Sequence, residues 1–392
     1  MGRNKFAVWV PFVLGFVDFF AVAIIIPLLA VNFKTKGYSP FLYGLAGTVY
    51  GTVQTLSGPL LGGYSDLHGR KICLLFSFYL SGIVYSGFFF FDTIIPFFIL
   101  RSVLGFFKHS NTMCKAYLCD ITPKAEQAAI MGRFNAISSA GFIVGPLIGS
   151  RIGTFENGCL VAAALFILSG VIAQVFLPDC PAKRSASAKS DPAPESVIDV
   201  CRSVNWPKYW DLFIARLSAT LAVILYRSNL SFLLMTTHSL SAQEIGYVIA
   251  LTGAVAAGSG FLAGPIIHMF KIDSVRLLVA TGAVMTASLV LLCLSSTLSS
   301  LILFLVVFTA SASLARVYGL DALLSRGTGS DIGLLQGVSQ SVTSVSRGLA
   351  PLISGILQQL NQDLPAAVAA LLAFLGTMLN VYSIKRTRVK VE

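Results

Sequence analysis

Five charged side chains stand deep inside long apolar stretches: Asp18, Arg101, Lys108, Arg227 and Arg347. A charge at the centre of a bilayer costs at least about 2.5–3.5 kcal/mol, so a residue of this kind is kept for a partner or for a task. Asp18 is the one acid placed deep in an apolar run. Burial and a neighbouring cation pull a carboxyl's proton affinity in opposite directions, and a carboxyl held between them can load and release a proton. Arg101 is the cation expected to pair with Asp18, either as a structural ion pair or as a partner that a proton displaces. Arg101, Gly105 and Lys108 or His109 recur at helical spacing and share one helix face, which is expected to line a solute path. His109 fits a hydrogen-bonded packing role as well as a proton relay. Four deep cations against one acid would favour an anionic solute. Arg216 and Arg316 lie nearer the ends of their runs, where a long side chain can reach back to the interface.

These charges need a scaffold that carries them through lipid. Hydrophobic residues make up 55% of the 392-residue chain and charged residues 11%, with a mean hydropathy of +0.80. A soluble domain carries roughly 25% charged residues. So few charges cannot cover a water-facing surface, and the solvent must be largely lipid. Only helices and closed barrels satisfy their backbone hydrogen bonds there. The apolar runs are continuous and do not alternate with period two, which excludes a barrel. About 20 apolar residues span the hydrocarbon. On that length the chain is predicted to hold twelve spans, at about 7–32, 41–63, 71–91, 94–117, 127–150, 157–177, 210–235, 243–268, 275–296, 298–323, 331–359 and 365–384. The first run is too long for the core of a signal peptide and is expected to be retained.

Residues 178–209 form the one long polar break, rich in small residues and Pro, and read as a linker. The expected organisation is a first six-helix bundle over 1–177, the linker over 178–209 and a second six-helix bundle over 210–392. Of the 28 Lys and Arg, the topology puts nineteen on the face carrying both termini, against Lys34, Lys36 and Arg151 on the other. The positive-inside rule then places both termini and the linker in the cytosol. It also accounts for the net charge of +11 without nucleic acid. The halves echo each other. The segment from Gly132 to Gly149 lies on that from Gly337 to Ser354 without a gap, with Pro-Leu-Ile coinciding at Pro146 and Pro351. Parallel repeats of this kind are a transporter feature.

Between the second and third spans stands Gly62-x3-Asp66-x2-Gly69-Arg70-Lys71. Glycine allows the chain to reverse tightly at Gly69, Asp66 suits a helix N-terminus, and Arg70 can reach a carboxylate across the gap. The fourth span carries Arg101-x3-Gly105. The fifth carries Gly141-x3-Gly145-Pro146-x2-Gly149, in which glycines permit close helix approach and Pro loosens the backbone. Together these resemble the signature loop, the Arg-x3-Gly motif and the antiporter motif of the major facilitator superfamily. The resemblance covers the whole chain and implies an all-α membrane fold of twelve transmembrane helices in two pseudo-symmetric six-helix bundles. It implies that the loop locks one state of the transport cycle, with Asp120 on the fourth span as its partner. Within the family, Gly15-x2-Asp18 through Pro27, and Gly105 through Asp120, resemble the orphan group called major facilitator superfamily domain-containing protein 9. The twelve-helix drug:proton antiporters are broader neighbours. The second half departs from the pattern, with Lys271-Ile272-Asp273-Ser274-Val275-Arg276 where the signature loop would stand.

The expected function is secondary transport of a small organic solute, anionic by the charge balance, through proton-coupled antiport with the two bundles rocking about the site. Asp18 and Arg101 are the expected proton-coupling residues. Lys108, His109, Arg227 and Arg347 are the expected cavity residues. Uncoupled or symport carriage of an organic anion is the alternative, and a non-transporting receptor or scaffold on the same fold is a third class. A scaffold would need neither the signature loop nor Asp18. No phosphate-binding loop, zinc-protease HExxH or GxSxG is present, and no enzyme is expected. The seven cysteines form no CxxC, so neither metal nor cofactor is expected. A monomer in the plasma or an endolysosomal membrane completes the expectation.

Overall fold

The computed structural model describes residues 5–123, 126–179, 206–270, 273–327 and 332–389. Most of the predicted 178–209 linker, Lys271 and Ile272 lie outside them. Fourteen helices are described: α1 Lys5–Thr35, α2 Pro40–His68, α3 Arg70–Phe90, α4 Ile94–Phe107, α5 Ser110–Ile121, α6 Gln127–Gly149, α7 Phe155–Phe176, α8 Trp206–Ser228, α9 Leu230–Thr237, α10 Ala242–Phe270, α11 Ser274–Cys293, α12 Leu298–Ser325, α13 Ile332–Leu360 and α14 Leu364–Val389. No strand is found among the described residues.

Two of the twelve expected spans are broken. The fourth is α4 and α5, interrupted at Lys108 and His109, and the seventh is α8 and α9, interrupted at Asn229. Twelve helical rods result. Eight of them, α1, α3, α7, α8, α10, α11, α12 and α14, are long and apolar enough to cross a bilayer on length and composition alone. Of the other rods, α2, α6 and α13 carry stripes of Gly, Ser, Thr and Gln that dilute their hydropathy, and the fourth is divided into α4 and α5, of 14 and 12 residues, each too short to span alone.

Local chemistry explains the boundaries. Gly69, with φ 96°, turns the chain from α2 into α3 in the left-handed region that side chains avoid. Thr154, Asp273 and Thr297 cap α7, α11 and α12 by accepting backbone N–H bonds from Asn157, Val275 and Ser300, as short oxygen side chains do at helix starts.

The described residues divide into two compact units, those within 1–39, 49–179 and 234–253 and those within 40–48, 206–233 and 254–389. The start of α2 therefore packs with the second unit, and the segment from Leu234 to Gly253 packs with the first. The two units repeat one packing scheme. In the first, α1 packs on α6 and α7, and α3 packs on α7 and the α4–α5 rod. In the second, α8 packs on α13 and α14, and α11 packs on α14 and α12. These are the same pairings of the first, third, fourth, fifth and sixth rods.

In the first unit the seam between α1 and α6 is set by three glycines one turn apart. A Cβ on Gly141 would run into the Phe16 carbonyl, one on Gly145 would lie 2.8 Å from the Phe20 carbonyl, and one on Gly149 would strike the Ile24 backbone. Close backbone approach is what small residues supply between membrane helices. This seam fixes the depth and rotation of α1, and with them Asp18.

Candidate functional site

Asp18 sits on α1 with 3% of its surface exposed. Facing it is the gap between α4 and α5. Lys108 Nζ donates to Asp18 Oδ1, and Ser110 Oγ donates to the same oxygen at 2.5 Å. The Lys108 ammonium also lies 4.5 Å from the centroid of the Phe166 ring, a cation–π contact. Lys108 and Asp18 side chains are 5% and 4% exposed, so the pair is sealed from water on the described surface.

The break is held open by side chains. Lys108 (φ −81°, ψ 79°) leaves helical geometry, and its carbonyl accepts from Gln54 Nε2 on α2 at 2.7 Å. The His109 N–H reaches Ser77 Oγ on α3 at 3.1 Å, and its ring Nε2 is 2.9 Å from Ser57 Oγ on α2. Backbone groups freed inside a membrane helix must find such partners. Gln54, Ser57, Ser77 and Ser110 are thus part of the site. Their only sequence signal is polarity within apolar runs, with Gln54 and Ser57 three residues apart.

The expected Asp18–Arg101 pair is not formed. Arg101 lies one bend away, 5.4 Å from the Phe97 centroid and 5.9 Å from those of Phe88 and Tyr50. Its Nε is buried with no hydrogen-bond partner. Seven residues separate Arg101 from Lys108, about 10 Å of helix rise, and it is Lys108, at the break, and Ser110 just beyond it that reach Asp18.

The signature loop closes on itself. Arg70 pairs with Asp66 four residues before it, donates from Nε to Asp120 Oδ2 at 3.0 Å, and donates from Nη1 to Ser65 Oγ at 2.5 Å. Lys71 lies 3.4 Å from Asp179. Asp66, Arg70 and Asp120 therefore join the ends of α2, α3 and α5 as one ion cluster. A Gly62 Cβ would meet nothing within 4 Å, so this glycine is not required by packing against the described residues. The Asp66 side chain is 46% exposed, so its ion pair contributes no more than about 1 kcal/mol. Asp66→Asn should therefore leave expression and melting temperature intact while slowing transport severalfold. Wild-type turnover in reconstituted vesicles would remove the clamp from the transport cycle.

The second unit holds a buried acid that sequence reasoning passed over. Asp211, near the start of α8, is 0% exposed. Arg326 at the end of α12 donates from Nη1 to Asp211 Oδ2 at 3.0 Å and from Nη2 to Ser383 Oγ on α14 at 2.5 Å. Arg386 Nη1 is 3.7 Å from Asp211 Oδ1. The residues Trp206-Pro207-Lys208-Tyr209-Trp210 preceding Asp211 read as an interfacial helix start, which hides its burial.

Arg227 and Arg347, expected in the solute path, lie in this second unit on α8 and α13 with Arg216 on α8 and Arg316 on α12. Among the described residues no carboxylate forms an ion pair with any of the four. Lys108 and His109 lie in the first unit. Among the described residues no three His, Cys, Asp or Glu side chains converge in a way that could hold a metal.

Comparison with known proteins places this geometry. "Multidrug resistance protein 2" of Bacillus subtilis is 26% identical over 372 residues, covering 92% of this chain and 91% of that protein. "Solute carrier family 22 member 18" of Mus musculus is 24% identical over 357 residues, covering 85% and 84%. Among solved structures, the human organic anion transporter MFSD10 (TETRAN) superposes with a TM-score of 0.69 at 19% identity, covering 97% of this chain and all of that one. A bacterial homologue of the human lysosomal transporter Spinster, in an inward-facing and occupied conformation, superposes with a TM-score of 0.79 at 14% identity, covering 99% and 98%. The sequence profile of the Major Facilitator Superfamily matches residues 12–351. With twelve rods in two units of repeated packing, a multi-pass membrane chain and that profile match, the protein is a transporter of the Major Facilitator Superfamily.

Proposed function

We propose that this chain is a proton-coupled secondary transporter of a small organic anion, working by alternating access of the two bundles 1–177 and 210–392. The observation that carries the coupling is the sealed Asp18–Lys108–Ser110 group at the break in the fourth rod. A proton reaching Asp18 removes the charge that Lys108 answers, so protonation and the conformation of the broken helix are linked. The unneutralised arginines of the second unit favour an anionic solute. The words "organic anion transporter" in the description of one structural neighbour agree with this class. The description "Multidrug resistance protein 2" favours export, hence antiport. Symport is the second reading, favoured by the same arginines, because protons moving with an anion lower the net charge carried across the membrane. The likeness to the orphan group in the first and fourth spans adds no substrate.

The test is reconstitution of the full chain into vesicles holding a pH-sensitive dye, with orientation fixed by a tag after Glu392 that belongs on the cytosolic face. Antiport predicts that adding an organic anion on one side moves protons towards that side. Symport predicts the opposite sign. Proton flux for organic cations but for no anion would overturn the anion reading, and solute uptake without proton flux would overturn the coupling.

A further inference from the structure

The four arginines of the second unit form a column. On α8, eleven residues separate Arg216 from Arg227. That is three turns within about 20° of one face and about 16 Å of rise. α12 runs antiparallel beside α8: Leu323 packs with Leu212 and Phe213, a guanidinium nitrogen of Arg216 lies 3.5 Å from the point where a Gly319 Cβ would stand, and the Phe308 and Tyr226 rings meet at 5.4 Å. Arg316, one turn along α12 from Gly319, therefore stands just above Arg216 on the way to Arg227. α13 runs parallel to α8, since Leu335 and Val338 pack with Tyr209, Leu212 and Phe213. Arg347 lies nine residues beyond Val338, about 13 Å further along the axis, and so between Arg216 and Arg227. Each arginine is close enough to Arg316 for its charge to act on it.

A column of like charges is costly at membrane depth unless something answers it. No carboxylate among the described residues does, and the Arg216 Nε is buried with no partner. Arg316 and Arg347 are exposed. Exposed guanidinium groups on apolar rods face water rather than lipid. A guanidinium fork matches carboxylate, phosphate or sulfonate oxygens two at a time. A compact monoanion could answer the lower end of the column or the upper end, leaving the other uncompensated.

Resting on the anion reading proposed above, we infer that the solute is an organic dianion. One anionic group is held by Arg216 and Arg316, the other by Arg227, with Arg347 between them along an extended organic frame. This makes the column a length gauge as well as a charge filter.

The test uses the full chain in lipid nanodiscs and two matched probe series, the dicarboxylates from succinate to suberate and the monocarboxylates from butyrate to octanoate. Binding is read by calorimetry at fixed pH and ionic strength. Dicarboxylates should bind about tenfold or more tightly than monocarboxylates of equal chain length, with affinity rising along the series. Arg227→Gln should bring the dianion-to-monoanion affinity ratio towards one and flatten its dependence on length. Arg347→Gln, tested beside it, should lower the ratio less and keep the length dependence. Equal affinity of the two series in the native chain would overturn this inference alone and leave an anion carrier standing. Binding of neither series would remove the anion reading and this inference with it.

Discussion

Asp18→Asn should abolish solute accumulation driven by a pH gradient. In the native chain the carboxylate accepts from both Lys108 and Ser110 on one oxygen, and it is the only acid that pairs with Lys108 among the described residues. Asparagine keeps an acceptor for Ser110 but no longer takes up or gives off a proton. The initial rate of pH-driven uptake should fall by about tenfold or more, with exchange of solute across the membrane retained. The variant also strands a buried ammonium, and breaking one side of a buried pair costs about 3–5 kcal/mol. Loss of activity by itself would therefore not separate coupling from folding. The double variant Asp18→Asn with Lys108→Met removes both charges at similar volume. It should recover much of the melting temperature while staying insensitive to pH. A single variant that accumulates solute with a normal pH dependence would move the coupling role to another group and favour uncoupled or sodium-linked transport.

The parts of this molecule written as contiguous patterns were legible in the sequence. The signature loop packs its information into ten residues, from Gly62 to Lys71, and the α2–α3 turn brings Asp66 and Arg70 together, while Asp120, which the family resemblance named, reaches Arg70 from α5. The rods were legible because length and hydropathy answer directly to bilayer thickness. The breaks were not, since neither Phe107–Ser110 nor Ser228–Leu230 contains Gly or Pro. At the first of them distant side chains answer the released backbone groups, Gln54 donating to the Lys108 carbonyl and Ser77 accepting from the His109 N–H, while Ser57 holds the His109 ring. The choice of Arg101 over Lys108 failed for that reason: on an uninterrupted helix the two are alternatives on one face, and only the break selects between them. Asp211 was missed because its burial is created by α12 and α14, which arrive more than a hundred residues later.

The largest expected effect on stability belongs to that missed residue. Asp211 is wholly buried and answers two guanidinium groups, Arg326 at 3.0 Å and Arg386 at 3.7 Å. Those arginines in turn tie the cluster to Ser383 and to the Pro207 carbonyl. The ends of α8, α12 and α14 are thereby joined by one acid. Asp211→Ala removes the carboxylate that stands between the Arg326 and Arg386 guanidinium groups and leaves a cavity in its place. Breaking one side of a buried ion pair costs about 3–5 kcal/mol, which in a chain of this size corresponds to a fall in apparent melting temperature of about 5 °C. Arg386→Ala, which removes the longer contact, should cost a fraction of that. The pair of results separates an ion cluster from simple loss of volume: if the cluster holds the three helix ends, Asp211→Ala combined with Arg326→Met should be more stable than Asp211→Ala alone. Melting of Asp211→Ala within a degree or two of the native chain in lipid nanodiscs would show that these helix ends are held by their apolar packing, by Tyr209, Leu212 and Phe213 against Leu323, Leu335 and Val338, and that the acid contributes little.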